Sequence, residues 1–216
     1  MKNMLNEPSD CWQNERYLDH NRPLDQEAAK YLLITFKRVL DEHGIIMMPM
    51  FGTLLGAIRE HGFISKDNDV DVVIYAKDKE AVFNLRPELE KYDIHLHCYV
   101  LPWIFTFEYK GMTLDVYPLY ETVWPWTNHY YLLLEYYISR SFFEIMEDYE
   151  LFGETFKVPA HPEKILTYLY GKTWRIPQSK KPRYESYVFF WRYARRFMQR
   201  CIRYIKRHWL KKHQKK

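Results

Sequence analysis

The sequence predicts an α/β fold of the α+β kind, in which a mixed β-sheet is flanked by helices. Two observations support this class. Segments with apolar residues at helical spacing alternate along the chain with short apolar segments rich in Val, Ile and Tyr, as expected of helices that pack on a sheet. The 216 residues are also enough for one domain with a sizeable core.

Helical and strand patterns alternate through the first half of the chain. The segment Arg22-Pro23-Leu24-Asp25 predicts a helix start, and Gly44 predicts the end of that helix. Lys110-Gly111 predicts a turn between two strands. The predicted elements are, in order, helix 26–44, strand 45–51, helix 53–60, strand 69–75, helix 77–92 with an interruption near Pro87, and strands 94–101, 104–109 and 112–119.

The second half is less regular. Residues 120–150 are aromatic and weakly periodic, so no element is predicted there. A tight hairpin is predicted around Phe152-Gly153, and a short helix over 161–171 that ends at Gly171. We predict one catalytic domain over residues 1–182 and a basic, amphipathic helical tail over residues 183–216.

Three aspartates form the candidate metal site. Asp69 and Asp71 lie at i and i+2 of a predicted strand, so their side chains share one face and repel each other. Asp115 lies in a second strand of similar character. Carboxylates that converge from neighbouring strands suit a hard divalent cation such as Mg²⁺. The alternative is that these residues cap turns and solvate a strand edge.

A candidate phosphate-binding segment precedes this strand. Gly52 and Thr53 stand before a predicted helix, whose first N–H groups are free to bind an anion. Arg59 follows on the same helix and has forked donors suited to phosphate. A phosphate-binding turn before a carboxylate strand is typical of nucleotidyltransferases, and the combination favours a site over isolated surface aspartates.

Three ordered segments resemble the LicD family, which is related to fukutin and fukutin-related protein. The first carries the Gly-Thr-Leu-Leu-Gly and acidic elements, the second resembles an Asp-Ile-Phe-Pro element, and the third a closing Tyr-Gly element. They read 52-GTLLGAIREHGFISKDNDVDVVI-74, 113-TLDVYPL-119 and 157-KVPAHPEKILTYLYGKTWRIP-177. This chain departs from the family pattern at Ser65-Lys66, where Pro-Trp is usual, and at Asn68, where Asp is frequent.

The resemblance implies a nucleotidyltransferase-like fold and a metal-dependent phosphotransferase of the phosphocholine transferase type. The donor would be a CDP-alcohol similar to CDP-choline, the cofactor Mg²⁺ or Mn²⁺, and the acceptor a hydroxyl of a cell-surface glycan, lipid-linked or free, of the lipopolysaccharide, capsule or teichoic-acid type. Carried over by position, the resemblance makes Asp69 and Asp71 metal ligands and Asp115 a third ligand or a base. Gly52 and Thr53 match the phosphate-binding turn, and Arg59 the family arginine.

Two other functions remain open from the sequence. A glycosyltransferase would use the Asp-x-Asp pair to bind a sugar nucleotide, although this leaves Gly52, Thr53 and Asp115 without a role. A non-catalytic module would bind an anionic membrane or RNA through the basic tail. The three intact aspartates of the candidate metal site argue against this function.

Several other candidates have a simpler structural explanation. His95, His97 and Cys98 are close in sequence, but no fourth ligand is spaced to close a zinc site, so structural or surface roles are favoured. His61 is assigned either to donor contact or to a loop surface.

Aromatic residues in two regions have two interpretations each. Trp124 and Trp126 either stack on acceptor sugars or pack in the core. Tyr170-Gly171 and Trp174 either line the substrate pocket or pack at a helix end, and the second is favoured.

The C-terminal segment is strongly basic. Residues 183–216 contain twelve Lys or Arg and one Glu, a balance of +11, whereas the preceding residues have twenty basic and twenty-seven acidic side chains. Residues 188–216 combine arginines with Phe and Trp at helical spacing, which is typical of a helix at an anionic membrane surface. Nucleic-acid binding is the less favoured alternative, and packing on the domain is a third.

The expected location is cytoplasmic, peripheral at the inner face of the cytoplasmic membrane. The first residues lack the apolar region of a signal peptide, and the chain has no run of eighteen apolar residues. The three widely spaced cysteines do not indicate a disulfide framework.

Overall fold

The computed structural model describes residues 24–65, 67–100, 104–121, 130–133 and 136–177. Two compact units divide the chain, residues 1–166 and residues 167–216. The predicted tail over 183–216, Lys66 and the pair Trp124 and Trp126 lie outside the described residues. The predicted domain boundary at 182/183 therefore stays a prediction.

The described helices and strands alternate as the sequence predicts. The helices are α1 (Gln26–Glu42), α2 (Phe51–Glu60), α3 (Lys79–Asn84), α4 (Arg86–Leu89) and α5 (Pro162–Tyr170). The strands are β1 (Met47–Pro49), β2 (Asp69–Tyr75), β3 (His95–Val100), β4 (Ile104–Tyr109), β5 (Met112–Glu121), β6 (Tyr130–Leu133), β7 (Tyr136–Ser139), β8 (Met146–Leu151) and β9 (Glu154–Pro159).

A mixed sheet of five strands in the order β1-β2-β5-β4-β3 forms the centre of the fold. Strands β2 and β5 run parallel, and the other neighbours in this order are antiparallel. Strands β6 and β7 extend the sheet from the end of β5, while β8 and β9 form a separate hairpin. The predicted fold class, a mixed sheet flanked by helices, is confirmed.

Helix α1 covers one face of this sheet. It begins where the Asp25 side chain accepts a hydrogen bond from the Ala28 N–H, which satisfies one of the free donors of the first turn. It ends before Gly44, whose φ of 67° closes the helix. Its apolar stripe, including Leu32, Leu33 and Phe36, is fully buried in the main core.

The two faces of strand β2 differ in chemistry. Val70, Val72 and Ile74 belong to the main core together with the residues of α1. Because side chains alternate along a strand, Asp69 and Asp71 lie on the opposite face. The sheet therefore has an apolar face under α1 and a second face that carries carboxylates.

Two tight turns are confirmed, and each contains two residues with positive φ. Lys110 and Gly111 connect β4 to β5 with φ values of 49° and 80°. Phe152 and Gly153 connect β8 to β9 with φ values of 57° and 81°. Two successive positive φ values match the right-handed twist of a hairpin.

The start of α2 differs from the prediction. The strand predicted over 45–51 is limited to Met47–Pro49, and the helix begins at Phe51 rather than Thr53. The Met50 carbonyl already accepts a helical hydrogen bond from the Leu54 N–H. Gly52 and Thr53 thus belong to the first turn of the helix, not to a turn that precedes it.

Among the residues that the structure describes, no helix is both long enough and apolar enough to span a bilayer.

Candidate metal centre and active site

The three predicted aspartates meet on one face of the sheet. Asp71 and Asp115 are direct neighbours in the register of the parallel pair β2 and β5. Asp69, two residues earlier on β2, completes the group, and one carboxylate oxygen from each residue lies within 4.8 Å of the others. Asp71 and Asp115 are buried, whereas Asp69 is partly exposed. The site is therefore accessible from the Asp69 side.

The electrostatics of this group favour a cation. Burial, followed by the charges of Asp69 and Asp115, raises the pKa of Asp71 well above its ordinary value, because a buried carboxylate beside other carboxylates is costly to ionise. A divalent ion would remove this cost and would find the oxygen ligands that hard cations prefer. The residues fit such an ion, although their geometry does not select one metal.

Two residues from the first turn of α2, one as a donor and one as an acceptor, hold Asp71. The Gly52 N–H lies 3.3 Å from the Asp71 Oδ2 atom and donates to it. The Thr53 Oγ1 atom accepts a hydrogen bond of 2.8 Å from the Asp71 N–H. Two of the three residues predicted to bind donor phosphate, Gly52 and Thr53, therefore lie beside the carboxylates, where the positive end of the helix dipole favours negative charge.

Asp67 is a fourth carboxylate beside the site, and the predicted set did not include it. Burial and the neighbouring charge of Asp69 raise its pKa to about 7. A Cβ atom at position 52 would overlap with the Asp67 carboxylate, so a larger residue there requires that side chain to shift. The alternation of Asp67, Asp69 and Asp71 was visible in the sequence, but the contact with Gly52 depends on the path of the loop.

Asp115 has two hydroxyl partners that the sequence did not identify. The Thr106 Oγ1 atom donates to Asp115 Oδ1 over 2.6 Å, and the Tyr117 Oη atom donates to Asp115 Oδ2 over 3.2 Å. Burial, with the charges of Asp71 and Asp115, raises the pKa of Tyr117 well above its ordinary value. The Tyr117 hydroxyl therefore stays protonated and remains a donor.

A match to a family model identifies the protein family of this domain. The family model described as the LicD/FKTN/FKRP nucleotidyltransferase domain matches residues 44–161. The chain belongs to the LicD family. The matched residues include the start of α2, the Asp69 and Asp71 pair on β2, and Asp115 on β5, so the predicted resemblance and the nucleotidyltransferase assignment are confirmed. A comparison with curated protein sequences gave no significant match.

Solved structures similar to this LicD-family chain include two of the antibiotic-resistance factor ANT(2'')-Ia. Its solution structure has a TM-score of 0.49 at 17% identity and covers 86% of this chain and 100% of that chain. Its crystal structure with adenylyl-2''-tobramycin has a TM-score of 0.47 at 17% identity, covering 76% and 87%. The lincomycin-bound lincosamide adenylyltransferase LnuA has a TM-score of 0.46 at 10% identity, covering 67% and 86%.

Arg59 lies in the last turn of α2 of this LicD-family domain. Its guanidinium contacts the neighbouring Glu60 carboxylate at 2.6 Å, and its side chain is 13% exposed. The predicted contact of Arg59 with a donor phosphate stays a prediction.

The histidines and the cysteine of the LicD-family chain have structural surroundings. His95 is exposed and pairs with Asp93, His97 is exposed, and Cys98 is buried. In the described part of the chain, the group of side chains able to share a metal ion consists of Asp69, Asp71 and Asp115. The structural or surface interpretation of His95, His97 and Cys98 stays a prediction.

His61 terminates α2 in a left-handed conformation, with φ at 54°. Its Nδ1 atom lies 3.1 Å from the Tyr149 hydroxyl, which donates to the Ala57 carbonyl. These contacts give His61 a place at the end of the helix, next to the β8–β9 hairpin.

Trp174 is buried just after α5. Its Nε1 atom donates to the Thr167 Oγ1 atom over 3.2 Å, and the Arg175 guanidinium lies over its ring. Gly171 has a φ of 79° and its N–H bonds the Thr167 carbonyl, which ends the helix as predicted. These contacts are those of helix-end packing.

Proposed function

We propose that this LicD-family transferase moves a phosphocholine-like phospho-alcohol from a CDP-activated donor to a hydroxyl of a cell-surface glycan. One observation carries the proposal: three carboxylates converge at the junction of β2 and β5, directly beside the first turn of α2. This arrangement offers a cation site next to backbone donors suited to phosphate. The proposed acceptors are glycans of the lipopolysaccharide, capsule or teichoic-acid type.

The reaction is a displacement at phosphorus. The acceptor hydroxyl oxygen forms a bond to the phosphorus that carries the alcohol, and the bond from that phosphorus to the bridging oxygen breaks. CMP leaves with the electron pair, and the acceptor hydroxyl loses its proton. A Mg²⁺ or Mn²⁺ ion held by Asp69, Asp71 and Asp115 would supply charge neutralisation for the phosphate oxygens.

The protein residues would orient the donor. The start of α2, at Gly52 and Thr53, would place the positive end of the helix dipole near the diphosphate, and Arg59 would add a fixed positive charge. This assignment is supported by the position of Gly52 and Thr53 beside Asp71.

Asp115 is better suited to a ligand role than to that of a base. Its two carboxylate oxygens accept hydrogen bonds from Thr106 and Tyr117. One oxygen of Asp115 also lies within 4.8 Å of a carboxylate oxygen of Asp69 and of Asp71, so the three residues can share a cation. We therefore assign Asp115 to the metal site and leave the acceptor proton to solvent or to the departing phosphate.

A donor panel tests this function. The full chain would be incubated with CDP-choline, CDP-ethanolamine, CDP-glycerol, CDP-ribitol and UDP-sugars, together with a glycan extract and Mg²⁺ or Mn²⁺. We expect metal-dependent CMP release with one CDP-alcohol, which identifies the donor. Release of UDP from a sugar nucleotide, with no CMP from any CDP-alcohol, would show a glycosyltransferase and overturn the proposal.

A further inference from the structure

We propose that Thr106 and Tyr117 are positioning residues for Asp115, whose hydroxyls hold its carboxylate towards Asp69 and Asp71 so that all three bind one divalent cation. The inference rests on the proposed function only in requiring a cation at this site. It extends that function, because it assigns roles to two side chains outside the ligand set.

Thr106 is the first of the two. Its side chain is fully buried on β4, between Phe105 and Phe107, which are also fully buried. The antiparallel register places Thr106 directly opposite Asp115, and its hydroxyl reaches Asp115 Oδ1. A buried hydroxyl without a partner is costly, so this bond fixes both side chains.

Tyr117 approaches from the same strand as Asp115. Residues at i and i+2 share a strand face, and the Tyr117 hydroxyl reaches Asp115 Oδ2. The ring is held edge-to-face against Phe51, with 5.4 Å between centroids. Phe51 immediately precedes Gly52, which donates to Asp71. The start of α2 thus stabilises Asp71 directly and Asp115 through the Phe51–Tyr117 ring contact.

The need for such support follows from charge. Asp69 and Asp71 repel the Asp115 carboxylate whenever no cation is bound, and rotation about its terminal bond would turn the oxygens away. A hydrogen bond at each oxygen opposes this rotation, while one Asp115 oxygen stays within 4.8 Å of an oxygen of Asp69 and of Asp71. The ligands are then in place before the ion arrives, which lowers the cost of binding.

The test measures Mn²⁺ affinity of the full chain by electron paramagnetic resonance, without donor or acceptor. The variants are Thr106→Val, Tyr117→Phe and their combination. Each removes a hydroxyl and keeps most of the side-chain volume. We expect the double variant to bind Mn²⁺ about 10–100-fold more weakly, the usual range for loss of hydrogen bonds to metal ligands, and each single variant to show part of that loss.

Two matched controls remove hydroxyls that bond elsewhere. Tyr120→Phe lies on the same strand and loses a hydroxyl that contacts Lys79, and Thr155→Val loses one that contacts Glu150 on the β8–β9 hairpin. Both should keep the wild-type affinity. Thr106→Ser keeps the hydroxyl and should restore most of the affinity lost in Thr106→Val.

Unchanged Mn²⁺ affinity in the double variant would overturn the positioning role. So would a loss in Thr106→Ser as large as in Thr106→Val, since packing rather than the hydroxyl would then be responsible. Mn²⁺ binding is measured separately from catalysis. Weaker Mn²⁺ binding in the variants supports the positioning role even where the wild type releases no CMP. The absence of CMP release would count against the proposed function alone.

Discussion

At the scale of single residues, the Asp67 carboxylate closely approaches the Gly52 backbone beside the site. The Asp67 carboxylate occupies the space where a side chain at position 52 would lie. Gly52 also donates its N–H to Asp71. One residue without a side chain therefore lets a fourth carboxylate come close to the three that form the candidate metal site.

Gly52→Ala should disturb this contact. The new methyl group must displace the Asp67 carboxylate or shift the first turn of α2, and overpacking of this kind costs about 1–3 kcal/mol of unfolding free energy. We expect lower stability in urea unfolding and weaker Mn²⁺ binding. The control is Gly62→Ala, where the nearest atoms lie at 3.8 Å or beyond. Equal stability and Mn²⁺ affinity in the two variants would contradict this account of Gly52.

The raised pKa of Asp67 makes a second residue-scale prediction, for the metal-free protein. Its pKa is about 7 in the folded chain against 3.8 for the ordinary carboxyl, so between these pH values the folded state binds more protons than the unfolded state. The free energy of unfolding contributed by Asp67 therefore falls as pH rises from about 4 to about 7.

The comparison that isolates this effect is wild type against Asp67→Asn in EDTA, from pH 4.5 to pH 8. We expect the stability of wild type relative to the variant to decrease over this range, because the amide cannot ionise. Mn²⁺ should reduce the decrease, since a cation favours the ionised carboxylates. A stability difference that is constant with pH would contradict the burial of Asp67 beside Asp69.

At the scale of elements, strands and turns were predicted correctly where a single sequence feature, such as an apolar run or a glycine, determined the local structure. Strand β2 has the predicted bounds, Asp69–Tyr75, because a short run rich in Val and Ile is typical of a buried strand. The turns at Lys110-Gly111 and Phe152-Gly153 have the predicted positions because glycine tolerates positive φ. Strands β6 to β8 were not predicted, since residues 120–150 are rich in tyrosine and show no clear alternation.

The sequence predicted the candidate metal ligands, but it did not predict the hydroxyl groups that hold Asp115 in place. Asp69, Asp71 and Asp115 follow from spacing within strands together with the family pattern. Tyr117 lies on the same strand as Asp115, and the two-residue turn of the β4–β5 hairpin sets Thr106 opposite Asp115. That both hydroxyls bond the carboxylate depends on side-chain rotamers, which the sequence pattern does not give. Thr106 did leave a signal, as a polar residue between two phenylalanines of β4.

The basic segment over 188–216 makes a prediction at the same scale. If it binds an anionic membrane, as we propose, each Lys or Arg near the surface adds about 1 kcal/mol. Replacing Arg195, Arg196 and Arg203 by Glu in the full chain should sharply reduce sedimentation with phosphatidylserine vesicles. Replacing Glu88, Glu90 and Glu147, which are acidic residues of the domain, by Gln is the control and should not reduce it.

Two results would contradict the membrane role of the segment. One is equal vesicle binding by the arginine variant and the wild type. The other is strong binding to RNA that the same variant loses, with no binding to vesicles, which would favour the nucleic-acid alternative.

At the scale of the whole molecule, one face of the central sheet stabilises the fold and the opposite face carries the candidate site. One face is packed under α1 with apolar residues, and the other carries the carboxylates, with α2 packed against β2. The face under α1 supplies stability through burial. The opposite face can therefore keep costly buried charges, which a divalent cation would compensate.

The most direct test of the central claim traces the phosphorus atom that is transferred from donor to acceptor. A CDP-alcohol labelled in both the alcohol and the adjacent phosphorus would be supplied with Mg²⁺ and the acceptor glycan to wild type and to Asp71→Asn. We predict that wild type places both labels on the glycan and releases CMP, and that Asp71→Asn is slower by at least about 100-fold, because loss of a metal ligand should exceed the loss caused by its hydrogen-bond partners. Equal transfer by Asp71→Asn, or a glycan that carries neither label, would contradict the account.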